Sequence, residues 1–341
     1  MSEPYFKKGV LLINIGTPEN TEISSIRKFL KVFLMDRRVI SIPYILRWFI
    51  LNLFILPHRS AKVAVKYKRI WKKEGSPLMI YSKRIKQLLN EELGKNYLVE
   101  IAMRYGSPSI QTSISKLMQK KVNELQIIPL FPQYSSAATG SAIEKVLKTM
   151  QRFNYFPKIQ INSSFYDHSD YIQTIANIGK SHKPAKYDHI LFSFHGIPVK
   201  QLTDPTSKTN CIQSSDCCRE ITEMNHNCYR AQCFKTAHLI ANSLDINPKQ
   251  YSVSFQSRLG KTEWIKPYTV ELVQNFPKSG VKKLLVFCPS FVIDCLETLD
   301  EIGFELSNIF VKHGGEKLEL VPALNDHLSW IQTLSDWIKD K

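Results

Sequence analysis

GVLLINIGTPEN, Gly9–Asn20, opens the chain with a run of aliphatic residues that stops in a Gly-Thr-Pro turn. A continuous apolar run bounded by turn residues reads as a strand buried on both faces, the kind found in parallel sheets. The pattern recurs in YLVEIAMRY from Tyr97, LQIIPLF from Leu125, KIQINSSF from Lys158, HILFSFHG from His189, YSVSFQS from Tyr251, KKLLVFCPS from Lys282 and KLELVPAL from Lys317. Between most of these runs the apolar residues take helical spacing, as in SAIEKVLKTM and CFKTAHLIANSL. The expectation is an α/β protein of two consecutive units, each with a four-stranded parallel sheet flanked by helices. At 341 residues the chain is also longer than a single core usually grows. Active residues of parallel sheets sit at the carboxyl ends of strands. That rule selects Gly16-Thr17, Arg104-Tyr105, Pro132 to Gly140, His195-Gly196, Ser257-Arg258 and Pro289 to Glu297.

The composition, 43% hydrophobic and 22% charged, is that of a globular protein and excludes disorder. A formal charge of +16 implies attraction to something acidic, whether nucleic acid, anionic lipid or an anionic small molecule. The first apolar run ends without a small-residue cleavage site, so a cytoplasmic location is expected rather than export. In a reducing compartment seven cysteines read as metal ligands or redox-active thiols, not as a disulfide framework.

One segment breaks the alternation of strand and helix. PYILRWFILNLFILP, Pro43 to Pro57, is apolar except for Arg47 and Asn52 and has proline at both ends. A spanning helix needs about 20 such residues, so this one is too short to cross a bilayer. From Arg27 to Lys73 there are thirteen Lys or Arg and one acid, Asp36. An apolar helix in a basic frame suits peripheral docking on an anionic membrane surface; a buried core helix is the alternative.

Three constellations carry chemistry. LFSFHGIP ends an apolar strand in His195 and Gly196. CPSFVIDCLETLDEI runs from a strand end into a helix with Asp294, Glu297 and Glu301 spaced three and four apart, which predicts all three carboxylates on one helix face, able to bind a divalent metal or move protons. MRYGSP, PQYSSAATGS and SRLGKTEWIKPYT contribute Arg104, Tyr105, Tyr134, Trp264 and Tyr268, flat apolar walls with cationic ends. A flat anionic ligand fits these better than a nucleotide phosphate, because the chain has neither a GxxxxGK[ST] loop nor a GxGxxG fingerprint.

LLINIGTPEN, YKRIWKKEGSPL, MRYGSPSI, PLFPQYSSAATGS, LFSFHGIP, SRLGKTEWIKPYT and CPSFVIDCLETLDEI, in this order and from Val10 to about Leu334, resemble ferrochelatase, the enzyme family that inserts ferrous iron into a porphyrin in haem biosynthesis. The resemblance implies two Rossmann-like domains, here 1–165 and 166–326 with a last helix, 327–341, packing back on the first. It implies a porphyrin cleft between them and a hydrophobic lip formed by the helix after Pro43. His195 is then expected to take a pyrrole proton or bind the incoming Fe2+, with Glu297 facing it across the macrocycle and Asp294 and Glu301 continuing an acidic path. Arg104, Tyr105 and Trp264 match positions near the porphyrin and its propionates. Ile15 stands where relatives acting on a four-carboxylate porphyrin have tyrosine; with the long lip, this favours protoporphyrin IX as substrate.

NCIQSSDCCREITEMNHNCYRAQC, Asn210–Cys233, lies in an insertion, 204–233, where many relatives have a shorter loop. Animal relatives hold a 2Fe-2S cluster through C-terminal cysteines and one in the PQYS motif, where this chain has Ser136. The spacing C-x5-CC-x9-C-x4-C is neither a zinc ribbon nor a ferredoxin run. A 2Fe-2S cluster held by Cys211, Cys228, Cys233 and one of Cys217 and Cys218 is one reading, with structural zinc and no metal as alternatives. Rival functions are a chelatase for another metal or tetrapyrrole, and an iron–sulfur sensor or RNA-binding protein. The basic residues gather around the lip rather than on an aromatic-studded sheet, which argues against a nucleic-acid partner.

Overall fold

The structure, a computed structural model, describes residues 8–202, 216–258, 260 and 262–339. Each of the eight apolar runs forms a strand: β1 (Lys8–Asn14), β2 (Tyr97–Met103), β3 (Glu124–Pro129), β4 (Lys158–Ile161), β5 (His189–His195), β6 (Tyr251–Gln256), β7 (Lys283–Phe287) and β8 (Lys317–Leu320). They build two four-stranded sheets, ordered β2-β1-β3-β4 and β6-β5-β7-β8, and every neighbouring pair is parallel. Two α/β units, each with a four-stranded parallel sheet, result, as the strand pattern predicted. In each sheet the first strand is central, with the second on one side and the third on the other. The order therefore reverses beside β1 and β5, and their carboxyl ends mark the switch points where such sheets bind ligands.

The first unit comprises the chain up to Phe131, Ser136–Ser163 and the chain from Asp326; the second comprises Pro132–Ser135 and Ser164–Asn325. Pro132–Ser135, placed in the first domain by the sequence reading, lies in the second unit because helix Tyr229–Ser243 draws it in. The Gln232 side chain accepts from the Tyr134 N–H at 2.7 Å, and Gln133 donates to Thr236 at 3.0 Å. Leu11, Ile13, Ile114, Ile127 and Val146 fill one core; Leu191, Leu284, Val286 and Phe310 fill the other. The last helix, Leu328–Lys339, belongs to the first unit. Lys8 Nζ and Gln126 Nε2 donate to its carbonyls at Ile338 and Trp337, over 2.7 and 3.2 Å, and Trp330 and Trp337 stack edge to face in its buried side.

Two expectations about the lip need correction. Proline does not end its helix: Tyr44–Ile50 continues through a π-helical turn, Leu51–Ile55, into Leu56–Ile70, so Pro57 lies inside. Proline cannot donate a helical hydrogen bond and crowds the preceding turn. The wider turn just before it, where the Leu56 N–H reaches back five residues to Leu51, accommodates the ring. Nor does Arg47 interrupt an apolar surface. It is 5% exposed and turned inward, with Nη1 donating to the Ile40 carbonyl at 2.6 Å, whereas Ile45 is 69% and Phe54 67% exposed. The buried-helix alternative fails on the same facts, since Tyr44, Leu46, Trp48, Phe49 and Leu53 are exposed too.

Candidate functional site

His195 is the last residue of β5, in register with Gln256 at the end of β6. Three bonds fix its backbone. Its N–H donates to Ser290 Oγ at 3.1 Å, its carbonyl accepts from the Tyr229 hydroxyl at 2.7 Å, and the next N–H, of Gly196, donates to the Gln256 carbonyl at 2.8 Å. Gly196 is required by close approach, because a Cβ there would lie 2.8 Å from the Gln256 oxygen and 3.2 Å from the Trp264 ring. The Trp264 ring thereby packs against Gly196. The His195 Nδ1 lies 2.6 Å from the Gly196 carbonyl oxygen. A carbonyl only accepts, so Nδ1 carries the proton, and in the neutral ring Nε2 keeps its lone pair.

The acidic row departs from its expected form. Glu297–Leu306 is a π-helix, and Asp294 precedes it instead of standing on its face. The Asp294 carboxylate is enclosed: it accepts from Asn325 Nδ2 at 2.7 Å and Thr298 Oγ1 at 2.9 Å, while its own N–H donates to Asn325 Oδ1 at 2.9 Å. That pairing ties the strand-end loop to the start of the helix. The 3.6-residue spacing assumed from the sequence does not apply where bonds run from i to i+5. Glu297 and Glu301 do share one wide turn. Glu301 accepts from the Ser257 N–H at 2.9 Å and the Ser257 hydroxyl at 2.7 Å, and the Glu297 carbonyl accepts from Gln256 Nε2 at 2.9 Å. Two buried thiols back the row: burial, then the charges of Asp294 and Glu301, push the Cys288 thiol well up, and burial with the neighbouring Glu297 carboxylate does the same to Cys295. Both are neutral thiols at physiological pH. The strand-end rule found Ser257 and, within Pro289 to Glu297, Ser290; nothing in the sequence distinguished Gln256, Tyr229 or Asn325.

In the first unit the structure brings Ile15, Arg104 and Tyr105 together at the ends of β1 and β2. The Arg104 N–H donates to the Asn14 carbonyl at 2.8 Å, and the Tyr105 N–H to that of Ile15 at 2.9 Å. Gly16 has φ +114°, and a Cβ there would lie 1.7 Å from the Tyr105 carbonyl oxygen. Arg104 and Tyr105 do not present their polar ends outward. One oxygen of Asp36 accepts from Arg104 Nη2 at 2.5 Å, the Tyr105 hydroxyl at 2.9 Å and Ser141 Oγ at 2.6 Å; the other accepts from the Arg38 N–H at 2.8 Å. Burial raises the Asp36 pKa, but the Ser141, Arg38 and Tyr105 hydrogen bonds and the Arg104 charge outweigh it, leaving the carboxyl below its ordinary range. Burial pushes the Tyr105 phenol upward. Asp36, the one acid in the basic stretch, was the available signal for this network.

The family model described as Ferrochelatase matches residues 7–341. The chain is 44% identical over 335 residues to a ferrochelatase of Legionella pneumophila (strain Lens), covering 98% of this chain and 99% of that protein. It is 41% identical over 334 residues to one of Coxiella burnetii (strain Dugway 5J108-111), covering 98% and 93%. The chain belongs to the ferrochelatase family. Ferrochelatases are metal chelatases of haem biosynthesis, lyases by reaction class, and iron is their substrate. Among solved structures, the sirohydrochlorin chelatase SirB of Bacillus subtilis subspecies spizizenii in complex with cobalt aligns with a TM-score of 0.55 at 10% identity, over 98% of this chain and 95% of that one. At that identity the likeness shows the fold alone.

The cysteine-rich segment is described in part. Cys211 lies outside the described residues. Cys217 Sγ and Cys218 Sγ are 3.6 Å apart, and Arg230 Nη1 donates to Cys218 Sγ at 3.0 Å. A hydrogen bond with Cys228, then burial, pushes the Cys218 thiol far up. Cys233 is fully buried one turn into helix Tyr229–Ser243, beside the Tyr229 hydroxyl. Among the described residues no three His, Cys, Asp or Glu side chains are set to hold a metal ion.

Proposed function

We propose that this ferrochelatase inserts Fe2+ into protoporphyrin IX through His195 and Glu297. The observation that supports it most is the fixed tautomer of His195, which turns a lone pair away from a backbone anchored on three sides. Metallation replaces two pyrrole N–H protons by one dication, so the site needs a neutral base and an anionic ligand that act in turn. Nε2 of His195 accepts a pyrrole proton or meets the metal; the Glu297 carboxylate, to which the Cys295 thiol hydrogen-bonds, supplies the charge. Glu301 extends the acidic row from Glu297, while the enclosed Asp294 holds the start of the helix through Thr298 and Asn325. Trp264 offers a flat apolar face in the second unit; in the first, the apolar Ile15 suits protoporphyrin better than a porphyrin with four carboxylates. Anaerobic assay of iron insertion tests the assignment: His195→Ala and Glu297→Ala should each lower kcat by about 100-fold or more. Parent-like turnover in both variants would remove these residues from the chemistry.

The lip supports a peripheral contact with an anionic membrane. Ile45, Trp48, Phe49, Leu53 and Phe54 form an exposed apolar row, and the same helix carries the exposed cations Lys62, Lys68 and Arg69 further along. Burying the row in the acyl boundary, with about 1 kcal/mol from each nearby cation, favours reversible docking. Among the described residues no helix is long and apolar enough to cross a membrane. Co-sedimentation should recover the protein with phosphatidylglycerol vesicles and release it at high salt.

Chemically, the cysteine insertion suits a sulfur-ligated centre. Cys218 neighbours Cys217 and hydrogen-bonds with Cys228, and Arg230 donates to its sulfur. A 2Fe-2S cluster would draw on Cys228, Cys233 and one of Cys217 and Cys218, with Cys211, which lies outside the described residues, as the fourth ligand and the whole a structural tie outside the metallation chemistry. Visible absorption with iron and sulfide analysis of anaerobically purified protein tests it, and colourless protein containing zinc would decide for the zinc alternative.

A further inference from the structure

Ser257 stands out on its backbone. Its φ is +66°, a left-handed conformation that disfavours every side chain but glycine. It follows Gln256, the last residue of β6, and there it gives both of its donors to one carboxylate, the N–H to Glu301 Oε1 and the hydroxyl to Glu301 Oε2. Its neighbour is just as constrained. Buried Gln256 accepts from Ser193 Oγ at 2.8 Å through Oε1, donates to the Glu297 carbonyl through Nε2, and accepts the Gly196 N–H on its own carbonyl. Two adjacent residues thus connect the His195 strand end to both acids of the π-helical turn.

Strained backbone conformations persist where the surroundings enforce them, and they gather at functional sites. Here the strain has an identifiable result. The preceding peptide sets the direction of the Ser257 N–H; the left-handed φ places the side chain so that its hydroxyl reaches the same Glu301 carboxylate. We propose that Ser257 is a positioning residue for Glu301, holding its carboxylate at one angle on the route by which iron reaches Glu297. The proposal rests on the acidic-path reading of Glu301 above, and it assigns Ser257 to iron handling rather than to porphyrin binding.

Glycine makes the informative substitution. Ser257→Gly keeps the backbone N–H, relieves the left-handed strain and removes only the hydroxyl, so the variant should unfold at a Tm no lower than the parent's. Its KM for Fe2+ should rise about tenfold, the loss expected for one hydrogen bond to a charged group, with KM for porphyrin unchanged. Combining it with Glu301→Gln should add little to the effect of Glu301→Gln alone, because both changes break the same contact. A Ser257→Gly enzyme with parent KM for Fe2+, or with effects that multiply with those of Glu301→Gln, overturns the proposal. Should Glu301→Gln itself leave the iron kinetics at parent values, the acidic-path reading fails first, and the two failures are thereby told apart.

Discussion

The two units present the same strand end in two different states. Each closes its switch point with a glycine pressed against the neighbouring strand's carbonyl, Gly16 on Tyr105 and Gly196 on Gln256. Beyond the glycine they diverge. In the first unit, Arg104 and Tyr105 turn their donors inward onto Asp36 and Ser141. In the second, the bonds at His195 are made by its backbone and its Nδ1, and the Nε2 takes no part in them. One topology can thus fasten its switch point through side chains or through the main chain.

The comparison predicts a graded set of outcomes. Gly16→Ala should have the largest effect, since the added carbon would lie 1.7 Å from a backbone oxygen that cannot move aside; no cooperative thermal transition is expected, whereas Gly196→Ala, meeting its neighbours at 2.8 and 3.2 Å, should retain one. Asp36→Asn comes next. It leaves the Arg104 guanidinium without its carboxylate and should cost about 3 kcal/mol in urea unfolding, while His195→Gln should leave the urea midpoint near the parent value. If the stability losses of these two were reversed, the contrast between the strand ends would be wrong. The lip gives a third, separable readout: Phe49→Ser with Phe54→Ser should abolish vesicle binding and leave the Tm within about a degree, because both side chains are exposed.

The smallest effect concerns acid. Hydrogen bonds from Lys317 and Tyr187 hold the Glu319 carboxyl at about 2, and those from Lys148 and Arg38 do the same for Glu144. A depressed carboxyl contributes stability that is complete above its ordinary pKa of 4.5 and is lost as pH falls through the folded value. The urea midpoint of the parent should therefore fall between pH 4.5 and about 2, and Glu319→Gln should flatten part of that slope.

Much of this was legible in advance. Eight continuous apolar runs gave eight strands, because burial on both faces leaves no room for alternation. The strand-end rule reached Arg104, His195 and Ser257 without any partner known. What it missed depended on distance along the chain or on irregular backbone. Asp36 meets Arg104 from 68 positions away, a pairing that spacing does not reveal. Asp294 left its expected face because the helix after it is wound with five-residue bonds, and Pro57 sits inside a helix for a related reason. Arg47 reads as a break in an apolar surface until its guanidinium is seen reaching the Ile40 carbonyl.

The last helix carries a consequence for synthesis. Gln126 and Lys8, on strands made early, bond to carbonyls of Leu328–Lys339, and Trp330 and Ile338 are wholly buried there. Ribosomes deliver the chain from its amino terminus at ~5–20 residues per second. The first sheet is finished at Ile161, so it must wait ~10–30 s for its cover, with the second unit emerging in the interval. During that wait the apolar surface meant for Trp330 is open to chaperones, and a ribosome stalled anywhere in the second unit would release a first unit that is missing part of its core.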